Sequence, residues 1–506
     1  MRGLLQKLPF FVVLMGLGAL AMLIPAAFGL ATRDYLTMRA FFYGSILFGI
    51  LTLLIGLATA GHNPRNLARS QLLALVAAFT LLPLMFAVPF AEAAAATSYG
   101  EAWFEMVSSF TTTGATLYDT PGSLTPALHL WRATVGWIGG FLVWVVAIAL
   151  FAPLNLGGFE VRAVGSYGQQ YHSALTQISN VADSSERLGK FAWRFGPIYA
   201  GLTGLLWVGL MAFEEDSYVA LCHAMSTIST SGISPIGGTY FAVSGFAGEA
   251  LILCFFFFAI SRLTFSRGVF GEDDGNLFRD PEVLVAATLI IVATGLLFGR
   301  HFVGSIGEGT SSWLDGLQAF WGTLFTIVSF LTTTGFESRY WDSATSWSGL
   351  QTPGLLLLGL ALIGGGVATT AGGVKLLRVY ALFRHSEREM DRLLHPSSVG
   401  GGGKDARRIR RQGAYISWIF FMLFAVSIAT VMLLLSLTGI QFETGMVLAV
   451  AALSTTGPLA SIAAETPIDY TGIPDSSRGI LAAAMVLGRL ETLALIALFN
   501  PDFWRK

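Results

Sequence analysis

Charged residues are scarce in this chain. Only 12% of its 506 residues are Asp, Glu, Lys or Arg, whereas 54% are hydrophobic. A soluble domain typically carries about 25% charged residues, so the composition excludes a soluble globular protein. Apolar runs of about 20 residues recur along the sequence, and each is long enough to cross roughly 30 Å of hydrocarbon. The composition therefore predicts a polytopic membrane protein.

Cysteine and histidine are also rare. The two cysteines, Cys222 and Cys254, lie in separate apolar segments, where small buried hydrophobic residues are expected rather than a disulfide or a metal site. The seven histidines are scattered, so nothing suggests an enzyme site within the membrane. Glycine-rich phosphate-binding motifs are missing as well, so any nucleotide would act through a separate chain. We expect no enzyme activity, no covalently bound cofactor and no nucleic acid partner.

A short polar segment is present in four copies. Each copy follows a short apolar segment that lies between two longer ones, so the repeating unit is long helix, half-helix, turn and long helix. The copies, named turns 1 to 4 below, are Thr-Thr-Thr-Gly at 111–114, Ser-Thr-Ser-Gly at 229–232, Thr-Thr-Thr-Gly at 332–335 and Ser-Thr-Thr-Gly at 454–457.

The apolar pattern predicts an all-α polytopic membrane protein with four membrane–pore–membrane repeats around one pore and two extra N-terminal helices. The four predicted half-helices are 100–112, 217–229, 314–332 and 443–454. The ten predicted spans are 8–31, 38–60, 68–91, 127–152, 192–213, 246–263, 282–299, 351–381, 412–438 and 478–499. The predicted units are the extra helices in 1–66 and repeats in 67–152, 190–264, 280–383 and 410–506.

Lys and Arg are distributed unevenly between the two sides of this topology. With the N-terminus inside, 23 of the 30 lie on the inner side. Cytoplasmic loops carry such an excess, so we expect both termini in the cytoplasm and the four turns toward the outside. The basic stretch that follows the glycines at 400–403 is expected to meet anionic membrane lipid, with contact to a cytosolic partner as the alternative.

The four turns have the chemistry of a cation site. Non-helical backbone at membrane depth must line water or protein, and a ring of carbonyl oxygens can replace the hydration shell of a cation. Glycine permits the torsions that this requires. An ordinary helix cap is the alternative for any one copy, but four equivalent copies favour the ring. The expected ion ligands are Thr112, Thr113, Gly114, Thr230, Ser231, Gly232, Thr333, Thr334, Gly335, Thr455, Thr456 and Gly457.

The span predicted at 351–381 contains a polar interruption with five glycines and two threonines. Non-helical backbone at this depth would lie beside the ion path, below the turns, and we interpret it as a mobile gate. Close helix packing through small residues is the alternative. The expected gate residues are Gly364, Gly365, Gly366, Thr369, Thr370, Gly372, Gly373 and Lys375.

Arg489 lies inside the last predicted span. An ionisable residue in a membrane segment suggests a function, and at the pore this charge would repel cations and form a barrier. Glu105, in the first half-helix, is a possible partner. Carboxylates that follow the turns either concentrate cations at the pore mouth or are ordinary loop acids. They are Asp119, Glu337, Asp342 and Glu465.

Several segments resemble the Trk/Ktr/HKT superfamily of potassium transporters, and within it the bacterial TrkH/TrkG type of membrane subunit. They are FTTTGA at 110–115, WIGG at 137–140, STISTSGISP at 226–235, LTTTGF at 331–336, GGGVATTAGGVK at 364–375, GRLE at 488–491 and NPDFWR at 500–505. The resemblance implies potassium uptake across the bacterial inner membrane, K⁺ selectivity at the four turn glycines, an intramembrane gating loop and a pore-lining Arg489. It also implies a homodimer and a cytosolic nucleotide-binding regulatory subunit of the TrkA type.

Turn 4 departs from the family pattern. Leu459 stands where a second glycine is expected after Pro458, and Ser454-Thr455-Thr456 replaces a more Asn-rich stretch. One alternative function is therefore a family member that passes both K⁺ and Na⁺. Another is an ion-coupled secondary transporter with its site near the membrane midplane.

Overall fold

The computed structural model describes residues 8–59, 67–94, 97–118, 120–152, 158–161, 184–261, 280–305, 313–342, 353–395 and 411–491. These residues form α-helices, with short 3₁₀ and π segments, and the described part of the chain has no strand. The predicted all-α membrane fold is confirmed.

Four short helices each end at one of the four turns. Their first turns suit helix N-termini: Glu101 forms a capping box with Ser98, and the Asp216 side chain accepts the Tyr218 N–H. Asp315 and Glu443 supply a negative charge at the other two. These half-helices are Tyr99–Phe110, Ser217–Ser229, Trp313–Leu331 and Phe442–Leu453.

Longer helices flank the half-helices in each repeat. The first helices of the four repeats are Leu67–Ala93, Ser184–Ala212, Pro281–Ser305 and Arg411–Leu437. The second helices are Pro126–Val146 with its π-helical continuation Ala147–Phe151, then Gly245–Ile260, the interrupted pair Gly354–Ile363 and Leu376–Leu394, and Asp475–Leu490. The predicted order of long helix, half-helix, turn and long helix holds in every repeat.

Helix lengths differ in detail from the predicted spans. Among the described residues, eight helical stretches are long and apolar enough to cross a membrane, and Leu314–Leu331, expected as a half-helix, is one of them. Gly245–Ile260 and Gly354–Ile363 are shorter than the spans predicted there. Hydropathy reports only that a window is apolar, whereas helix ends depend on local backbone breaks. The part of the last predicted span beyond residue 491 lies outside the described residues.

The extra N-terminal helices support repeat 1 from its outer side. Phe10–Ala21 and Tyr35–Thr59 both pack on Leu67–Ala93. Phe41 meets Trp131 of repeat 1 edge-on, with ring centroids 5.2 Å apart. The N-terminal helices therefore cover one side of repeat 1.

Glycines let the second helices approach the half-helices closely. A Cβ at Gly139 would overlap the carbonyl oxygen of Phe110, the last residue of the first half-helix. A Cβ at Gly488 would overlap the carbonyl of Leu453, the last residue of the fourth. These contacts fix the ends of two half-helices, and hence turns 1 and 4, close to the second helices of repeats 1 and 4.

The close approach at Gly139 predicts a stability effect. Gly139→Ala should lower stability by about 1–3 kcal/mol because the added methyl forces the helix away from the Phe110 carbonyl. Thermal unfolding of the detergent-solubilised protein measures the effect. Gly204→Ala is the matched control, since a Cβ at Gly204 meets nothing within 4 Å, and it should be neutral or slightly stabilising. Equal melting temperatures for the two variants would contradict the packing described here.

Candidate ion pathway

The four turns share one backbone conformation at their second residue. Thr112, Thr230, Thr333 and Thr455 are all left-handed, with φ of 57°, 53°, 58° and 55°. Such torsions are uncommon for a β-branched residue. In each turn the third residue donates its N–H to the carbonyl five residues earlier, at 2.8 to 3.0 Å. Four sequence copies have therefore folded as four structural copies.

Hydroxyl groups on the first and third residues of each turn bond to one another. The Oγ–Oγ distances are 2.8 Å in turn 1, 3.0 Å in turn 2, 3.1 Å in turn 3 and 3.3 Å in turn 4. The third-residue hydroxyls, expected from sequence as ion ligands, are thus engaged within the turn. These hydrogen bonds brace the backbone of each turn. The third-residue hydroxyls are those of Thr113, Ser231, Thr334 and Thr456.

The second-residue hydroxyls are in a different situation. Those of Thr112 and Thr455 are buried and have no hydrogen-bond partner among the described residues. Thr230 donates to the Ser229 carbonyl at 2.7 Å, and Thr333 accepts the N–H of Gly372 at 2.7 Å. A buried hydroxyl without a partner is costly, so two of these four positions are ready to accept a ligand.

The turns meet in a closed cycle. A Cβ on Gly114 would overlap the Ser231 carbonyl of turn 2, and one on Gly232 would overlap the Thr334 carbonyl of turn 3. From turn 3 the cycle continues to Pro458, which directly follows turn 4: a Cβ on Gly335 would lie 2.8 Å from its Cγ. Turn 4 returns to turn 1, where the Gly457 N–H donates to the Thr113 carbonyl at 2.6 Å. Every turn glycine thus faces its neighbour's backbone or proline ring, with no room for a side chain.

Hydrophobic packing also joins the last repeat to the first. A single buried cluster contains Phe104 and Leu117 from repeat 1 together with Leu448, Tyr470 and Met485 from repeat 4. Residues more than 300 positions apart in sequence thus share one core. This packing closes the ring of repeats on the side where the chain itself does not connect them.

In three repeats, a buried half-helix residue forms a hydrogen bond with the segment that follows the turn. These contacts were not predicted from the sequence. In three repeats the residue nine positions before the glycine bonds to the segment just after it. Glu105 accepts the Leu117 N–H at 3.1 Å, His223 Nε2 lies 2.9 Å from Ser234 Oγ, and Thr326 Oγ1 accepts the Ser338 N–H at 3.2 Å. Repeat 4 has Leu448 at this position. Aligning the repeats on their glycines would have shown the shared position, but not its contacts.

The suggested pairing of Glu105 with Arg489 is wrong. Glu105 is fully buried and forms an ion pair with Arg132, whose Nε lies 2.6 Å from its carboxylate. Arg132 also lies 3.2 Å from His129 Nδ1. Both partners belong to repeat 1, so the carboxylate is neutralised within its own repeat. A buried charge needs such a partner, and only tertiary packing revealed which one it was.

The expected gate residues all lie in a non-helical segment, residues 364–375, named the gate loop here. It separates Gly354–Ile363 from Leu376–Leu394. Its contacts run to the half-helix of repeat 2, where Thr370 donates to the Ile228 carbonyl at 3.1 Å, and to turn 3 of its own repeat, where Gly372 donates to Thr333. A Cβ at Gly372 would overlap Ser454 and Thr455 of turn 4. The gate loop is therefore pressed directly against the ring of turns.

Further contacts hold the gate loop to the surrounding helices. Glu282 accepts the Val367 N–H at 2.8 Å, and Gly366 donates to the Ala259 carbonyl at 3.0 Å. Within the loop itself, the Lys375 ammonium donates to the Ala371 carbonyl. Five glycines allow this close approach, and two of them, Gly364 and Gly373, have φ of 73° and 76°. The close-packing alternative thus describes part of what these glycines do.

Arg489 and the gate loop line one small cavity. Its volume is about 20 Å³, room for about one water molecule. Lys375, Ala371 and the π-helical end of repeat 1 also contribute to the lining. Arg489 is 5% exposed, and its Nε and Nη2 have no hydrogen-bond partner in the described part of the chain. Two cationic side chains, those of Arg489 and Lys375, therefore line this cavity.

Glu491, two residues after Arg489, pairs with a different arginine. Its carboxylate lies 2.8 Å from the guanidinium of Arg378, which is fully buried and stacks over Phe420 at 3.7 Å. Arg378 follows the gate loop directly. This ion pair therefore ties the helix that resumes after the gate loop to the end of the described chain.

The carboxylates expected near the mouth differ in environment. Asp342 and Glu465 are exposed, and Asp119 lies outside the described residues. Glu337 follows turn 3, and its carboxylate accepts from Ser461 at 3.3 Å. Although part of its side chain reaches solvent, burial, with a further contribution from Asp342, raises the pKa of Glu337 to about 7. This acid therefore titrates near neutral pH, unlike an ordinary loop carboxylate.

Comparison with known proteins relates this architecture to one family. Residues 282–506 match the family model described as "TrkH: Cation transport protein". The chain is 31% identical to the Trk system potassium uptake protein TrkH of Halomonas elongata, over 85% of this chain and 83% of that protein. It is 30% identical to the protein of the same description from Escherichia coli K12, over 87% and 86%.

A solved structure shows the same fold. The crystal structure of the potassium transporter TrkH from Vibrio parahaemolyticus superposes with a TM-score of 0.80 and 25% identity, covering 99% of both chains. Together with the sequence identities, this agreement excludes an enzyme and accounts for the order of helices and turns. The chain therefore belongs to the TrkH family and is the membrane subunit of a Trk potassium transporter.

Proposed function

We propose that the protein takes up K⁺ through a selectivity filter formed by turns 1 to 4, with the gate loop and Arg489 controlling passage below it. The observation that carries this proposal is the closed cycle of four turns with one shared backbone conformation. Carbonyl oxygens enclosed by such a ring can replace the water around a cation. The relatives named as potassium uptake proteins support K⁺ as that cation.

The ring is electrostatically suited to a cation. All four half-helices end at their turns, so the negative ends of their dipoles meet there. The unpartnered hydroxyls of Thr112 and Thr455 add oxygen ligands, and that of Thr455 lies next to Gly372 of the gate loop. We assign the ion contacts to the turn carbonyls and these hydroxyls. The third-residue hydroxyls act indirectly, by stiffening the turns.

Below the filter, the gate loop closes the path. A cavity with room for about one water molecule is too small for a hydrated ion, so conduction requires the gate loop to move. Lys375 and Arg489 place positive charge at this constriction, which raises the electrostatic barrier to a cation. Motion of the loop would break its hydrogen bonds to Thr333 and Ile228, coupling the gate to turns 2 and 3.

The cellular setting follows from the family and the charge distribution. We place the subunit in the bacterial inner membrane with both termini in the cytoplasm, as the excess of inner Lys and Arg supports. A homodimer served by a nucleotide-binding regulatory subunit of the TrkA type fits the absence of nucleotide motifs from this sequence. A secondary transporter with a midplane site is the competing proposal, and saturable alternating access would distinguish it.

Gly114→Ser tests the filter. A side chain at Gly114 overlaps the Ser231 carbonyl, and the glycine has φ of 74°, so serine should distort two adjacent turns. We expect the K⁺/Na⁺ permeability ratio to fall roughly tenfold, equivalent to about 1.4 kcal/mol of discrimination. Ion flux into proteoliposomes measures it. Gly122→Ser, in an outer loop with nothing within 4 Å, is the control, and an unchanged ratio in Gly114→Ser would refute the filter.

Deleting residues 367–371 tests the gate. The deletion removes the Thr370 contact with the half-helix of repeat 2 and shortens the segment that blocks the path. K⁺ flux through the isolated membrane subunit should rise at least several-fold, while K⁺ remains preferred over Na⁺ because the turns are intact. Flux is measured in the same liposome assay, with size-exclusion chromatography as the folding check. A folded variant with wild-type or lower flux removes the gate from the proposal.

Glu337 predicts a dependence on external pH. With a pKa of about 7, its carboxyl is neutral at pH 6 and ionised at pH 8, where it attracts K⁺ to the mouth. The apparent KM for K⁺ should therefore be roughly two- to fivefold higher at pH 6, as expected for the loss of one nearby charge in a solvated mouth. Glu337→Gln should abolish this difference, whereas Glu214→Gln, on an exposed outer residue, should retain it. Persistence of the full pH effect in Glu337→Gln would exclude this role.

A further inference from the structure

Turn 4 differs from the other three at its glycine. Gly114, Gly232 and Gly335 are left-handed, with φ of 74°, 65° and 80°, whereas Gly457 does not adopt positive φ. The second residues of all four turns nevertheless agree in conformation. The chain of repeat 4 thus follows the common path through Thr455 and leaves it at the outermost residue.

The backbone of Gly457 is held by hydrogen bonds on both of its polar groups. Its N–H donates to the Thr113 carbonyl at 2.6 Å. Its carbonyl accepts the Tyr470 hydroxyl at 3.1 Å and the Ala460 N–H at 3.1 Å. A carbonyl oxygen that already accepts two hydrogen bonds has both of its lone pairs occupied. It is therefore a poor ligand for an ion at the centre of the ring.

Tyr470 approaches this carbonyl from the protein side. The side chain is 6% exposed and belongs to the apolar cluster shared by repeats 1 and 4. Its ring centroid lies 6.1 Å from that of Phe104, in the first half-helix. Since this cluster packs behind the turns, the carbonyl that bonds to Tyr470 is directed into the cluster and away from the space that the turns enclose.

Pro458, the residue after Gly457, lies close to the glycines of turns 2 and 3. Its Cγ lies 2.8 Å from a Cβ built on Gly335 of the neighbouring turn 3. The same atom lies 3.2 Å from a Cβ built on Gly232 of turn 2, which is diagonally opposite in the cycle. The proline ring therefore lies within contact distance of the glycines of turns 2 and 3. The short helix Leu459–Ile462 that follows includes the fully buried Leu459 and fixes this arrangement.

We propose that Tyr470 is a positioning residue that sets ion specificity by holding the Gly457 carbonyl out of the outermost ion site. That site then receives glycine carbonyls from three turns instead of four. Fewer oxygens replace less of the hydration shell, so the site binds K⁺ more weakly and discriminates less against Na⁺ than a four-carbonyl site. This inference rests on the filter proposed above.

Tyr470→Phe tests it by removing one oxygen atom and leaving the ring in its cluster. With one of its two donors gone, the Gly457 carbonyl can turn toward the ion. The apparent KM for K⁺ should fall about fivefold, the size of one net hydrogen-bond interaction, and the K⁺/Na⁺ permeability ratio should rise. A purely structural role predicts the reverse, because a looser turn admits Na⁺. An unchanged or raised KM, or increased Na⁺ uptake, overturns the proposal.

Two further variants make the test specific. Pro458→Gly should shift KM in the same direction, because it removes the ring that lies against Gly335; a shift in the opposite direction counts against the proposal. Tyr218→Phe is the matched control, since this hydroxyl donates to the Pro126 carbonyl at 2.9 Å, far along the chain from turn 4, and K⁺ kinetics should match wild type. Thermal unfolding checks that each variant is folded.

Running Gly114→Ser beside these variants separates the two proposals. If Gly114→Ser leaves ion selectivity unchanged, the filter itself is wrong. If Gly114→Ser alters selectivity and Tyr470→Phe leaves KM unchanged, the filter stands and only the role of Tyr470 fails.

Discussion

The fold depends on how backbone polar groups are satisfied at membrane depth. Helices satisfy their own groups, but each repeat leaves a non-helical turn where carbonyls have no helical partner. The protein brings the four turns together so that each glycine lies against the backbone or proline ring of the next. Close approach of this kind excludes lipid, and the half-helix dipoles make the enclosed space attractive to a cation. The long helices, the glycine contacts and the closing apolar cluster all serve to hold this ring.

The four turns share one backbone conformation at their second residues, but the side chains that hold the turns differ from repeat to repeat. Turns 1, 2 and 3 are followed by segments held to Glu105, His223 and Thr326, which differ in charge and reach. Repeat 4 lacks this contact and has the Tyr470 hydroxyl at its glycine carbonyl instead. Since all repeats lie in one chain, each support can change independently of the other three.

Beside the ring, the gate loop and the cationic side chains of Lys375 and Arg489 line one small cavity. The loop touches turns 2 to 4 or the half-helices that carry them, so any movement of the loop would disturb contacts with the ring of turns. Arg378 and Glu491 connect the helix after the loop to the last described helix of repeat 4.

Much of this was predictable from the sequence because it depends on local pattern. Apolar stretches of membrane length, four Ser/Thr-Gly copies and five glycines within one span predicted the helices, the turns and the interruption before Leu376, since each reflects short-range backbone physics. The bounds of Trp313–Leu331 were predicted to within one residue, although hydropathy and length alone do not separate this half-helix from a membrane span.

Pairings between distant residues required the tertiary structure. Nothing in the spacing indicated that Glu105 would pair with Arg132 and not with Arg489, or that Tyr470 would reach the carbonyl of Gly457. The sequence by itself thus determined the membrane location, the four repeats and the position of each turn, because composition and periodicity act over short stretches of chain. Only the tertiary structure decided which buried charges neutralise each other and where the fourth carbonyl points, because those outcomes depend on distances set by the packing of whole repeats.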